Sequence, residues 1–237
     1  MSLRWAEKPA HSVHREARLV LIRHGESEWN AEGRIQGQHG TGLSARGRAQ
    51  AEDVATYLTA AFPDPVLVVA SDLERVTQTA APYVSSTGAT VEVDKRLREI
   101  DTGAWSGLIG AEVAERFPDE IAAVRRGEDI PRGGGERFAD LRVRVAEALH
   151  DLARQASADA NAGATPTALI FTHGGPIRVS VAAALDLPEG GHQLLDPPEN
   201  CSVTVLTFVL DESGDVAAIR LGNYNGHVSA RIHSLTS

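Results

Sequence analysis

Cysteine is almost missing: Cys201 is the only one in 237 residues. No disulfide can close within the chain and no cysteine-based metal cluster can form, which fits a reducing compartment. Long apolar runs are missing too. Runs such as Val66–Ala70 fall far short of the ~20 residues that a membrane span needs. Met1 to Arg15 holds Lys8, His11 and His14 but no continuous apolar stretch, so it does not read as a secretory signal. Residues 1–16 are expected to be a loose leader, and the protein to be cytoplasmic. Basic charge is in deficit, with 23 Lys and Arg against 32 Asp and Glu, a net charge of −9. That balance argues against a chain built to wrap nucleic acid or to coat an anionic membrane. A local arginine cluster can still bind a small anion inside an acidic protein. Aromatic residues make up only 5%, so the 42% apolar content must build its core from Val, Leu, Ile and Ala. Such a core suits strands covered by helices on both faces.

What is present has a clear order. Three short unbroken apolar runs, Arg18–Ile22, Val66–Ala70 and Thr167–Phe171, each lead straight into polar or glycine-rich residues. Central strands of a parallel sheet look this way, with loops at their C-terminal ends. Between the first two runs, Ser44 can cap a helix that repeats Gly47, Ala51, Val54, Ala55, Leu58 and Phe62 on one face, with Pro63 and Pro65 to stop it. A second helix is expected from about Leu73 into the eighties. A third is expected from Phe138 to Leu152, with Leu141, Val145 and Leu149 in register. Residues 157–166 read as a surface loop. A further helix after Gly174 carries Ile177, Val181 and Leu185, and strands near 201–209 and 215–221 flank Asp211–Asp215 as a hairpin. This order predicts a three-layer α/β/α sandwich with a mostly parallel central sheet. It forms one domain over 17–237, with a helical and loop insertion at about 101–135. The late hairpin is a candidate surface for a homodimer.

Ligands of open α/β sheets gather outside the strand C-termini. The first run leads into Arg23-His24-Gly25-Glu26-Ser27, the second into Ser71-Asp72-Leu73-Glu74-Arg75, and the third into Thr172-His173-Gly174-Gly175. One crevice would then hold two arginines and two histidines. A lone histidine after a strand is usually structural. Two His-Gly pairs at equivalent strand ends are harder to dismiss, because glycine lets backbone N–H groups approach an anion. The carboxylates of a binuclear metal hydrolase are not seen beside these histidines, and arginine suits phosphate better than a divalent cation. A neutral imidazole can attack phosphorus while guanidinium groups stabilise the transferring oxygens. An acid must still protonate the leaving group, and Glu26, Asp72, Glu99 and Asp101 all remain candidates. The run Gly133–Gly135 lacks the rest of a phosphate-binding loop and reads as a tight turn. Arg125-Arg126 reads as solvated charge near a helix end.

Six blocks in order resemble the histidine phosphatase superfamily, also called phosphoglycerate mutase-like. They are Leu21–Asn30, Gly33–Gly37, Leu43–Ala51, Ser71–Ala80, Leu97–Gly107 and Phe171–Arg178. The resemblance implies that His24 is the nucleophile and becomes phosphohistidine. It implies that Glu99 is the general acid and later the base, with Arg23, Arg75 and His173 as the phosphate pocket. Asn30 and Arg34 would help hold the phosphate or the near part of the substrate, and Gly37 and Gly174 complete the binding set. It implies no metal and no organic cofactor. The expected activity is hydrolysis of a small phosphorylated metabolite. The alternatives are a phosphoglycerate mutase and a non-catalytic module that binds phosphorylated ligands. The stretch from Glu99 to His173 resembles the shorter phosphatase type, and Gly175 stands where mutases tend to have Asn. Two positions depart from the pattern: Arg137, where Ser is usual, and Ser106, where Glu is common. Segment 105–137 is expected to set specificity.

Overall fold

The computed structural model describes residues 15–158 and 165–228. In chain order its elements are β1 (Arg15–Arg23), α1 (Glu28–Ala31), α2 (Ala45–Ala61), β2 (Leu67–Ala70), α3 (Glu74–Thr87), β3 (Glu92–Val93), α4 (Gly110–Arg116), α5 (Pro118–Arg125), α6 (Phe138–Ala158), β4 (Thr167–Thr172), α7 (Gly174–Ala184), β5 (Val203–Leu210) and β6 (Val216–Gly226). The strands form one sheet in the order β3-β2-β4-β1-β5-β6. The first four of these are parallel, and β5 and β6 run antiparallel. The expected three-layer architecture is present.

Period-two alternation in β1 explains the layers. Leu19 and Leu21 enter a core with α6 and α7, whereas Val20 and Ile22 enter another with α2 and α3. All four side chains are buried, so β1 must be apolar on both faces. The helix signals read in the sequence act as expected. Ser44 caps α2 by accepting from Gly47 N at 3.0 Å, and the buried face is Gly47, Ala51, Val54, Ala55 and Leu58.

Several boundaries move. β1 starts at Arg15, so residues 15 and 16 belong to the sheet rather than to a leader, and residues 1–14 lie outside the described set. α6 continues to Ala158, because the buried small residues Ala153 and Ala156 extend its apolar face past Leu152. The loop expected from Ser157 therefore begins later, and residues 159–164 fall outside the described set. The insertion contains the short helices α4 and α5. Gly133–Gly135 is a turn, and its tightness has a partner: a Cβ on Gly133 would press on Thr102 O and on Trp105 N, and one on Gly135 would overlap Asp101 O. The turn is thus docked backbone to backbone on the loop that follows Glu99. Among the described residues no helix is long and apolar enough to cross a membrane.

Candidate active site

Strand register builds the site. Arg23 pairs with Thr172 across β1 and β4, and Ala70 pairs with Phe171 across β2 and β4. The residues that follow, His24, His173 and Ser71, therefore leave the sheet side by side. The two imidazoles meet edge to face with ring centroids 5.2 Å apart. Both are buried, at 3% and 0% exposure.

His24 Nδ1 lies 2.7 Å from Gly25 O. A carbonyl only accepts, so Nδ1 carries the proton and Nε2 keeps its lone pair. Burial holds the pKa of His24 well below its ordinary value; the charges of Arg75 and Arg23 add to this, while the Gly25 carbonyl opposes it. The ring is thus neutral. Arg75 Nε donates to His24 Nε2 at 3.3 Å, while its two Nη groups donate to His39 O at 2.9 Å and Gly37 O at 2.7 Å. Burial lowers the Arg75 pKa to about 10, against the pull of Glu99 and with the push of Arg23, so the guanidinium stays charged at neutral pH.

Two buried nitrogens in the pocket, Arg23 Nε and His173 Nδ1, have no protein partner among the described residues. Arg23 is fixed at its far end, where Nη1 donates to Pro198 O. His173 is fixed by Ser71 Oγ, 2.9 Å from Nε2. If Ser71 donates that proton, His173 Nδ1 carries an N–H without a partner among the described residues. A buried unpaired donor costs about 1–3 kcal/mol, and an anion between these groups would recover it. Burial, then Arg75, His24 and Arg23, keeps His173 well below its ordinary pKa.

The structure separates the four candidate acids. Glu26 accepts from Ser44 Oγ at 2.8 Å and pairs with Arg46. Asp72 is held in a fork by Arg98 at 2.6 and 2.5 Å. Asp101 accepts from Gly103 N at 2.9 Å. Glu99 alone of the four reaches α7, where its Oε2 accepts from Gly175 N at 3.1 Å. A Cβ built on Gly174 would lie 3.6 Å from Arg23 Nε and 3.9 Å from Glu99 Oε2, so acid and arginine meet there. A Cβ built on Gly175 would overlap Glu99 Oε1. Glycine at 175 leaves the space the carboxylate occupies.

Other expected residues take supporting places. Asn200 Nδ2 donates to His24 O at 3.0 Å and to Asn30 Oδ1 at 3.4 Å, which ties Asn30 to the nucleophile's backbone. Gly37 contributes its carbonyl to Arg75. Arg34 Nε donates to Glu32 at 2.6 Å and its Nη1 to Gly107 O at 2.7 Å, which ties it to the loop after Trp105. Arg137 likewise closes a loop, donating to Asp129 O.

Sequence reasoning missed Arg144. It donates to the carbonyls of Arg96, Arg98 and Glu99 at 2.7, 2.7 and 2.9 Å and pairs with Glu136 at 2.6 Å. It fixes the backbone that presents the acid. Nothing in the pattern of α6 marks it out, since its partners are carbonyls distant in sequence.

Comparison with known proteins accords with this geometry. The sequence pattern described as the histidine phosphatase superfamily (branch 1) matches residues 19–218. Glucosyl-3-phosphoglycerate phosphatase of Mycolicibacterium vanbaalenii is 36% identical over 204 residues, covering 86% of this chain and 90% of that one. Metal-independent phosphoserine phosphatase of Arabidopsis thaliana is 33% identical over 209 residues, covering 84% and 82%. The native structure of a mycobacterial glucosyl-3-phosphoglycerate phosphatase superposes with a TM-score of 0.75 at 34% identity, over 90% of this chain and 100% of that one. The chain therefore belongs to the histidine phosphatase superfamily.

Proposed function

We propose that the chain hydrolyses monoesters of small phosphorylated metabolites through a phosphohistidine on His24. The observation that carries this reading is the single state of the His24 ring. Its Nδ1–H is held by Gly25 O, and its Nε2 lone pair faces the Arg75 guanidinium. In the first step Nε2 attacks phosphorus, the ester P–O bond breaks, and Glu99 delivers its proton to the leaving oxygen. Arg23, Arg75 and His173 hold the equatorial oxygens. In the second step Glu99 takes a proton from water as water attacks phosphorus. The P–N bond then breaks, and phosphate leaves with His24 neutral again. The relatives named above are phosphatases of carbon-borne phosphate esters, and one is named metal-independent. The same reading takes the enzyme to be cytoplasmic, on the strength of its single buried cysteine.

An aryl phosphate assay in the presence of a chelator tests the reaction, combined with acid-labile labelling of the protein. Turnover and label should both vanish in His24→Ala. Full activity in that variant, or a strict need for an added divalent metal, would overturn the mechanism. Free phosphate and isomerised product should be measured separately with 2- and 3-phosphoglycerate. Interconversion with little phosphate release would make the protein a mutase instead. Tight binding of phosphate esters without turnover would make it a binding module.

A further inference from the structure

The backbone that carries His24 is gripped by one short segment outside the motifs. β1 pairs with β5 as far as Ile22 and Val203. Beyond that pair, Pro198–Ser202 takes over. Arg23 N donates to Ser202 O at 3.2 Å, and Cys201 N donates to Arg23 O at 3.1 Å and to His24 O at 3.3 Å. Asn200 Nδ2 donates to His24 O at 3.0 Å, and Arg23 Nη1 donates to Pro198 O. The bend that brings Asn200 and Cys201 onto these carbonyls puts Cys201 at φ 56°, a left-handed conformation that a residue with a Cβ adopts only where its surroundings compensate. The segment is itself stapled to β6. Asn225 Oδ1 accepts from Glu199 N at 2.7 Å, and Tyr224 OH donates to Asp196 O.

Within this segment Asn200 reaches two parts of the site with one side chain. A peptide unit is planar, so holding its C=O and its N–H fixes six atoms together. The unit between His24 and Gly25 is held at its oxygen by Asn200 and Cys201, and at its nitrogen by Thr79 Oγ1, which accepts from Gly25 N at 2.9 Å. The next carbonyl along the chain, Gly25 O, is the one that receives His24 Nδ1–H. The tautomer and the aim of the imidazole therefore follow from the tilt of that unit. Asn200 Nδ2 also donates to Asn30 Oδ1 at 3.4 Å, and Ser27 N donates to the same oxygen at 3.2 Å. Two N–H groups on its oxygen hold the Asn30 amide in one of its two flips.

We propose that Asn200 is a positioning residue for phosphoryl transfer: its one amide group, donating to His24 O and to Asn30 Oδ1, sets the aim of the nucleophile and the flip of the Asn30 amide together. It acts through these two residues and not on the phosphoryl group. This rests on the phosphatase reading above and adds to it what keeps the nucleophile in line. Nothing in Glu199-Asn-Cys-Ser202 marks the role in the sequence, because the segment has no period and its partners lie about 170 positions away.

Two variants separate a donor from a space filler. Asn200→Asp keeps the shape but turns an oxygen toward two oxygens, whereas Asn200→Ala removes the group. With aryl phosphate, kcat should fall about tenfold or more in both, and aspartate should be at least as damaging as alanine. Asn200→Gln keeps the amide and should recover at least about threefold of the alanine loss. Rates are read at a temperature where thermal melting shows each variant folded. Nitrogen-15 spectra of the imidazoles, with His24 identified by its loss in His24→Ala, give a readout that packing alone would not move. The wild-type ring should carry its proton on Nδ1, and the alanine and aspartate variants should show mixed tautomers. An aspartate variant with kcat within twofold of the wild type would overturn the proposal, and so would a His24 ring that stays on the Nδ1–H tautomer in both variants. Should aspartate prevent folding, an alanine loss that glutamine does not recover overturns it equally. If the wild type does not hydrolyse aryl phosphate, the phosphatase reading fails, and the imidazole spectra still decide the role of Asn200.

Discussion

The phosphate side and the leaving-group side of this site are built differently. His24, Arg75 and His173 issue from strand ends or the helix start beside one, and backbone carbonyls or a buried hydroxyl orient them. Glu99 stands on a loop. Its position depends on the Arg144–Glu136 pair, on an N–H from Gly175 and on glycines interlocked between residues 101–105 and 133–135. The first region inherits its precision from sheet register. The second must assemble it from contacts among segments far apart in sequence. On the mechanism proposed above, the part that grips the phosphoryl group common to all substrates is the part set by the sheet, and the part that meets the variable group can vary without disturbing the sheet.

Perturbing the loop side should separate chemistry from phosphate binding. Glu99→Gln keeps the shape and removes the proton. A loss of about 10²–10⁴-fold in kcat is expected, with KM much less affected. An equal loss in the phosphorylation step itself, read as the burst of 4-nitrophenol from 4-nitrophenyl phosphate, whose leaving group needs no proton, would argue against the acid role. Gly175→Ala places a methyl group where the carboxylate lies. The obstacle is the far end of a flexible side chain, so the fold should persist while the acid is displaced by about an ångström, at a cost of about 10²-fold in kcat. Thermal melting with the rate measures both, and an unchanged rate would show that Glu99 has slack. Arg144→Met should be felt in stability as well as rate. It leaves Glu136, whose side chain is 15% exposed, without its cation. Discounted for partial exposure, the expected loss is about 2–3 kcal/mol by urea unfolding. Loss of stability with kcat intact would make Arg144 structural only.

The strand side has its own signature in pH. His24 and His173 are held below their ordinary pKa in the fold. The unfolded chain therefore takes up protons first as pH falls. Stability should be flat above about pH 6.5 and then decline by up to about 1.4 kcal/mol per pH unit for each buried histidine. Urea midpoints at pH 7, 6 and 5 test this, and His173→Gln should reduce the slope. A flat profile from pH 7 to 5 would mean that the rings accept protons in the fold.

This contrast also explains what was legible in the sequence. The apolar runs and the residues just past them placed β1, β2, β4 and the cluster of Arg23, His24, Arg75 and His173, because strand register carries local pattern straight into space. The acid remained open among four residues until family resemblance pointed to Glu99, since loop docking has no period to read. Arg34 and Gly37 matched motifs, but their protein partners, Gly107 O and the Arg75 guanidinium, could not be read from those motifs. The end of α6 ran past Leu152 because alanine continues a buried face as well as leucine does, but marks it less strongly.

Arg23 Nε and His173 Nδ1, unpartnered among the described residues, have a consequence for turnover if they hold the phosphoryl oxygens as proposed. They cannot distinguish the ester from the inorganic phosphate that remains after hydrolysis, for both present the same oxygens. Whatever holds the substrate by these atoms holds the product equally, and affinity shared in this way does nothing for the chemical step. Escape of phosphate from the strand ends then becomes a step that can govern the cycle. A leaving group gripped separately would let the enzyme favour its substrate without lengthening the residence of its product.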